Sequence, residues 1–119
     1  MKLKIFLFTT LLGIVSMSAQ DKNKKDSFLV KGNCSMCKSR IQKSAIKLKG
    51  VKYAHWNVNS KEFILIIDEN ICSLVKVKEA ISMAGHDTSS LTANEEAYNG
   101  LPPCCKYRDP ETIKMNHNN

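Results

Sequence analysis

Proline and aromatic residues are scarce in this chain of 119 residues, and each shortage narrows the possible classes of protein. All three prolines lie after residue 101, which disfavours the thioredoxin fold, because that fold needs a cis-proline facing its cysteines. Aromatic residues make up 7% of the chain and are not interleaved with the scattered lysines, which argues against nucleic-acid binding. No apolar run reaches the roughly 20 residues that a membrane-spanning helix needs, and no internal repeat is visible.

The first 19 residues have the layout of a secretory signal peptide. Lys2 and Lys4 precede an apolar run over residues 5–15, and small residues lead to a predicted cleavage site after Ala19. No cysteine follows closely, so a lipid anchor is not expected. We therefore predict export, to the periplasm of a Gram-negative cell or to the medium, with membrane contact only through the cleaved peptide.

The pattern of apolar residues predicts an α+β domain over residues 27–92. Short runs of apolar and β-forming residues indicate strands, and apolar residues three or four apart indicate two helices. The predicted order is strand 27–31, helix 35–49, strand 51–58, strand 62–68, helix 74–84 and a weaker strand 86–91. This is the ferredoxin-like βαββαβ order, with a four-stranded antiparallel sheet and both helices on one face.

The segments on either side of this domain are predicted to be irregular. Residues 20–26 are polar and are expected to form a flexible lead-in. Residues 93–119 form a tail that contains cysteine and proline, including Cys104 and Cys105 after Pro102 and Pro103.

Cys34 and Cys37 form a CxxC motif between the first strand and the first helix. Two cysteines three apart can turn their sulfurs toward one point, and a helix N-terminus lowers thiol pKa values. Two thiolates without hard oxygen ligands favour soft cations such as Cu(I). Thiol–disulfide redox chemistry and a structural disulfide are the alternatives for the same pair.

The chain also resembles the heavy-metal-associated domain over residues 27–92. That family includes copper chaperones, the N-terminal domains of copper-transporting ATPases and periplasmic mercury-scavenging proteins. The residues that carry the likeness are Gly32-Asn33-Cys34-Ser35-Met36-Cys37, the helix-ending Gly50, Trp56-Asn57-Val58, Lys61 and Ala84-Gly85-His86. The resemblance implies the ferredoxin-like fold and makes Cys34 and Cys37 the metal ligands. The family usually has methionine where Gly32 stands, which predicts a more mobile loop here.

Three further residues are candidate ligands outside the motif. His86 belongs to a loop that lies beside the cysteine loop in this fold, and it is either a third ligand or an exposed histidine. Cys104 and Cys105 can add two thiolates if the tail folds back, and four thiolates suit Zn(II) or a multinuclear Cu(I) site. They can also be disulfide partners, within or between chains. Cys72 is expected to be a small buried apolar residue instead.

These observations predict a metal-binding protein that is not an enzyme. It would sequester or transfer a soft ion. Cu(I) is the first candidate, and Zn(II) or Hg(II) are alternatives on the same scaffold. Its partners would be the ion and a metal-transporting membrane protein or another metallochaperone. A thiol–disulfide oxidoreductase that uses the same CxxC pair is the competing hypothesis.

Overall fold

Three strands and three α-helices build the part of the chain that the computed structural model describes, residues 20–112. The predicted signal peptide, residues 1–19, and the last part of the tail, residues 113–119, lie outside these described residues. The elements in chain order are β1 (Lys24–Leu29), α1 (Ser35–Ile46), β2 (Val51–Trp56), β3 (Glu62–Ile67), α2 (Leu74–Met83), α3 (Glu95–Asn99) and a 3₁₀ turn at Pro103–Cys105.

The central strand of the sheet is β3, which pairs antiparallel with β1 on one side and β2 on the other. Phe63, Leu65 and Ile67 on β3 are buried, whereas Ile64 and Ile66 between them are more exposed. Because successive side chains point to opposite faces of a strand, this alternation shows that one face of the sheet carries the core.

Helices α1 and α2 bury apolar residues spaced by four in the same core. Cys37, Ile41 and Ala45 on α1 and Val77 and Ile81 on α2 are each fully buried. The helix α1 packs against both β2 and α2. The predicted α+β fold with an antiparallel sheet and two helices is therefore confirmed.

The prediction of a fourth strand was wrong, because the sheet has three strands in the described part of the chain. Thr88 pairs with Val30 through a single isolated bridge. The backbone N–H of Thr88 donates to the carbonyl of Leu91 at 2.8 Å, and the Asp87 carboxylate accepts from the backbone N–H of Ala93 at 2.8 Å. The backbone N–H of Ser89 still donates to the carbonyl of Leu29 at 3.0 Å, but the bonds to Leu91 and Ala93 are local and compete with further strand pairing.

Ordered and buried residues extend beyond residues 27–92 at both ends. Strand β1 begins at Lys24, which pairs with Ile67, so residues 24–26 belong to the sheet and not to a flexible lead-in. The tail is not wholly irregular either, because Leu101, Cys105 and Tyr107 are part of the hydrophobic core. Burial of these apolar side chains draws the tail onto the domain. Between residues 20 and 112, no helix has the length and apolar character that crossing a membrane requires.

Candidate metal centre

The loop between β1 and α1 places two sulfurs at the start of a helix. Cys34 is the N-cap residue of α1 and Cys37 lies in its first turn. Their Sγ atoms are 3.5 Å apart, and the backbone N–H of Asn33 donates to Cys37 Sγ at 3.3 Å. Cys37 is buried and Cys34 is half-buried. The pair converges as the spacing predicts, with Cys34 on the more open side.

The tail returns two more sulfurs to the same place. Cys105 Sγ lies 3.8 Å from Cys34 Sγ, and the Cys34 thiol also lies 3.5 Å from the carbonyl oxygen of Cys104. The ligand atoms of Cys34, Cys104 and Cys105 all lie within 4.8 Å of one another. The thiol of Cys105 also interacts with Cys37. We call these four cysteines, Cys34, Cys37, Cys104 and Cys105, the sulfur cluster.

A set of polar contacts holds the tail in this position. The Tyr107 hydroxyl donates to the carbonyl of Gly85 at 2.8 Å and accepts from the backbone N–H of Asp87 at 2.9 Å. The guanidinium of Arg108 forms an ion pair with the Asp87 carboxylate at 2.8 Å and lies 4.2 Å from the ring centroid of Tyr98. We call Asp87, Tyr107 and Arg108 the tail clamp. It fixes the backbone directly after the tail cysteines.

The pKa values of the clustered thiols are shifted in opposite directions. Burial on its own would raise the pKa of Cys34, but hydrogen bonds from the Cys37 backbone and the neighbouring thiols lower it below its ordinary value. Burial is the main cause of the raised pKa values of Cys37, Cys104 and Cys105. Cys34 is therefore the member of the cluster that most readily presents a thiolate to an incoming ion.

Trp56 fills the space beneath the cysteine loop. Its indole is fully buried, and Nε1 donates to the carbonyl of Val30 at 3.0 Å. A Cβ atom at Gly32 would lie 3.0 Å from Trp56 Cη2 and 3.0 Å from Cys37 Cβ. Trp56 therefore occupies, from β2, the space into which a side chain at residue 32 would project.

Lys61 is a neighbour of the site whose role the sequence did not reveal. Its Nζ donates to the carbonyl of Val58 at 2.7 Å and lies 5.4 Å from the ring centroid of Trp56. Burial lowers the pKa of Lys61, while Coulomb attraction to Cys37 and Cys34 acts in the opposite direction. A positive charge here favours thiolates. The sequence signal was weak, since Lys61 reaches this place through a left-handed backbone conformation (φ 65°) after a polar turn.

His86 is fully buried, which excludes the exposed loop histidine considered from the sequence. Its Nδ1 lies 2.8 Å from the carbonyl oxygen of Lys31, so Nδ1 carries the hydrogen and Nε2 the lone pair. Nε2 is buried and has no hydrogen-bond partner in the described part of the chain. Burial lowers the pKa of His86 and so favours this neutral form. His86 is not in the group of converging ligand atoms, and its role as a third ligand stays a prediction.

Two other sulfur residues take different positions. Cys72 is buried and outside the sulfur cluster, which confirms its predicted role as a small apolar residue. The thioether of Met36 lies 3.3 Å from Cys104 Sγ, so a fifth sulfur borders the cluster. No disulfide joins any of the five cysteines, all of which are in the described residues.

Comparison with solved structures identifies the fold. No family model matches the chain, and no curated protein does. A structure of the CopZ metallochaperone is 24% identical, with a TM-score of 0.53, and covers 55% of this chain and 98% of its own. The N-terminal domain of a potential copper-translocating P-type ATPase from Bacillus subtilis, in the Cu(I)-loaded state, is 27% identical. Its TM-score is 0.53, and the match covers 56% of this chain and 84% of that domain.

The chain has the fold of a heavy-metal-associated domain. Oxidized MerP from Ralstonia metallidurans CH34 has the same fold, with a TM-score of 0.54, 24% identity, and coverage of 56% of this chain and 94% of its own. The resemblance seen in the sequence is thus confirmed. Each of these three matches covers little more than half of the chain, so the rest of the chain lies outside all three aligned regions or in parts they do not share.

Proposed function

We propose that this protein binds a soft metal ion, Cu(I) above all, through Cys34 and Cys37, and sequesters it or passes it on outside the cytoplasm. The observation that carries the proposal is the 3.5 Å separation of the two Sγ atoms at the N-terminus of α1. Thiolate sulfur selects soft ions, and the partial positive charge of a helix N-terminus stabilises the thiolate form.

The comparisons support Cu(I) as the first candidate. The structure that is 27% identical is the Cu(I)-loaded domain of a potential copper-translocating ATPase. Zn(II) and Hg(II) are the alternatives, since both also bind thiolates. We propose binding and not catalysis. The site holds converging thiols, and the solved structures with a similar fold include a metallochaperone.

Ion transfer would proceed by ligand exchange at the half-buried sulfur of Cys34. An incoming thiolate from a metal-transporting membrane protein or another metallochaperone would displace one sulfur at a time. The full chain has a formal net charge of +7, and loss of Lys2 and Lys4 with the predicted signal peptide leaves +5. This basic character favours an acidic partner at the encounter.

The experiment is an anaerobic titration of residues 20–119 with Cu(I) against a colorimetric Cu(I) chelator. We expect wild-type protein to take Cu(I) from the chelator, and the Cys34→Ser, Cys37→Ser double variant to bind at least about tenfold more weakly, which is about 1.4 kcal/mol. Cys72→Ser is the matched control, because it removes a thiol outside the cluster. Equal affinity in the wild type and the double variant would refute the proposal. Metal-independent turnover in an insulin-reduction assay would support the oxidoreductase hypothesis.

A further inference from the structure

We propose that the tail supplies metal ligands, and that Cys104 and Cys105 join Cys34 in a closed thiolate site that retains the ion. This inference rests on the metal binding proposed above and deepens it. The tail then helps to hold the ion, whereas a site of two cysteines alone has no such segment. The site takes a thiophilic ion that accepts at least three sulfur ligands. Cys37 lies outside this converging group, but its Sγ is 3.5 Å from Cys34 Sγ and is the candidate for a fourth sulfur.

The spacing of the sulfurs fits this coordination. A metal–sulfur bond of about 2.3 Å separates two sulfurs by about 3.8 Å in a tetrahedral site, about 4.0 Å in a trigonal site and about 4.6 Å in a linear one. Cys34 Sγ lies 3.8 Å from Cys105 Sγ and 3.5 Å from Cys37 Sγ. Both distances are closer to the tetrahedral and trigonal values than to the linear value. The Cys34–Cys105 distance therefore suits an ion with three or more sulfur ligands, and the Cys104 sulfur lies within 4.8 Å of both of these sulfurs.

The donors around this site are soft. The group of converging ligand atoms consists of three thiols and contains no carboxylate. The Met36 thioether borders it, 3.3 Å from Cys104 Sγ. Such a set excludes hard ions such as Mg²⁺ and Ca²⁺, which take oxygen ligands, and selects Cu(I), Zn(II) or Hg(II).

Contacts within the protein hold the tail against the domain. Cys105 is fully buried in the core, and the Tyr107 hydroxyl and the Arg108–Asp87 ion pair hold the chain just beyond it. Pro102 and Pro103 restrict the backbone before the cysteines. Ion binding therefore does not have to order a flexible segment, and preorganisation of this kind raises affinity.

The protein retains the ion because its own sulfurs occupy the coordination positions that a partner would need. In an open two-cysteine site, a partner's thiolates can fill the vacant coordination positions and draw the ion away. Here the chain's own Cys104 and Cys105 fill those positions. Each thiol that binds exchanges its S–H bond for a sulfur–metal bond and releases its proton to solvent, and no electron is transferred.

The test compares wild-type residues 20–119 with the Cys104→Ser, Cys105→Ser variant, each loaded anaerobically with Cu(I) or Zn(II). X-ray absorption should find three or four sulfur ligands in the wild type and about two in the variant. Loss of the ion to an excess of chelator should be at least about tenfold faster in the variant. Cys72→Ser should behave as the wild type.

The same sulfur number and the same rate of loss in both proteins would overturn the inference while leaving metal binding at Cys34 and Cys37 intact. No uptake by either protein would instead refute the proposed function.

A second variant covers the possibility that the double substitution disturbs the fold. Tyr107→Phe keeps every cysteine but removes the hydroxyl that bonds Gly85 and Asp87. We expect faster loss of the ion from this variant than from the wild type, with an unchanged circular dichroism spectrum. If the ion leaves this variant at the same rate as it leaves the wild type, the tail clamp does not hold the tail thiols at the ion.

Discussion

Replacing Gly32 by methionine should destabilise the protein, although methionine is usual at this position in the family that the sequence resembles. The added Cβ alone would lie 3.0 Å from both Cys37 Cβ and Trp56 Cη2. Gly32 does not have a positive φ, so the cost comes from crowding and not from the backbone. Trp56 cannot easily withdraw, because it is fully buried and its Nε1 is bonded to Val30.

The expected cost is that of overpacking a core, about 1–3 kcal/mol in the free energy of unfolding. In a domain of this size it lowers the melting temperature by roughly 4–8 °C for each kcal/mol. Trp56→Leu alone should cost on the order of 3 kcal/mol, because it leaves a cavity. The double variant should be more stable than the sum of the two costs implies, since the methionine can enter the space that the indole leaves.

Urea denaturation of the four proteins, followed by far-ultraviolet circular dichroism, measures this coupling. Gly100→Ala is a control at a glycine where the nearest atom to an added Cβ is 3.4 Å away. Additive costs in the double variant, or a Gly32→Met variant as stable as the wild type, would show that Trp56 and residue 32 do not compete for the same space.

Three further predictions concern the surroundings of the site. Gly85→Ala should cost about 1–3 kcal/mol of unfolding free energy, since φ is +104° and the Cβ would lie 2.7 Å from a carbonyl oxygen of α3; a midpoint of urea denaturation unchanged from wild type would contradict this. Burial lowers the pKa of His86, so the folded state favours neutral imidazole and the free energy of unfolding should fall as pH drops below about 6.5. Denaturation at several pH values should show a weaker slope for His86→Gln, and an equal slope would refute the assignment. Iodoacetamide near pH 7 should alkylate Cys34 before Cys72, as followed by mass spectrometry of peptides, because the pKa of Cys34 is lowered and its thiol is less buried; the reverse order would be inconsistent with the structure.

The elements with a clear periodicity could be predicted from the sequence. The apolar run from Phe63 to Ile67 predicted β3, although not which of its faces is buried, and the spacing of Cys37 and Ile41 predicted α1. These patterns are local and each concerns a single element. The position of the CxxC pair at the start of α1 followed from the same reasoning.

The fourth strand and the docking of the tail depend on contacts that such patterns do not contain. The turn after Thr88 arises because the side chain of Asp87 captures a backbone amide, and this competes with strand pairing. The tail docks because Tyr107 reaches Gly85, which lies 22 residues earlier. A single tyrosine has no periodicity, so neither the clamp nor the burial of His86 beside it was visible beforehand.

The contact between Cys34 and Cys105 spans 71 residues, and therefore closes most of the described chain into one loop. An ion bonded to both sulfurs would act as a covalent cross-link does, by restricting the unfolded chain more than the folded one. For a loop of this length the chain-entropy relation gives about 4 kcal/mol. Metal occupancy would then govern resistance to heat and proteolysis along the whole domain, far beyond the sulfurs themselves.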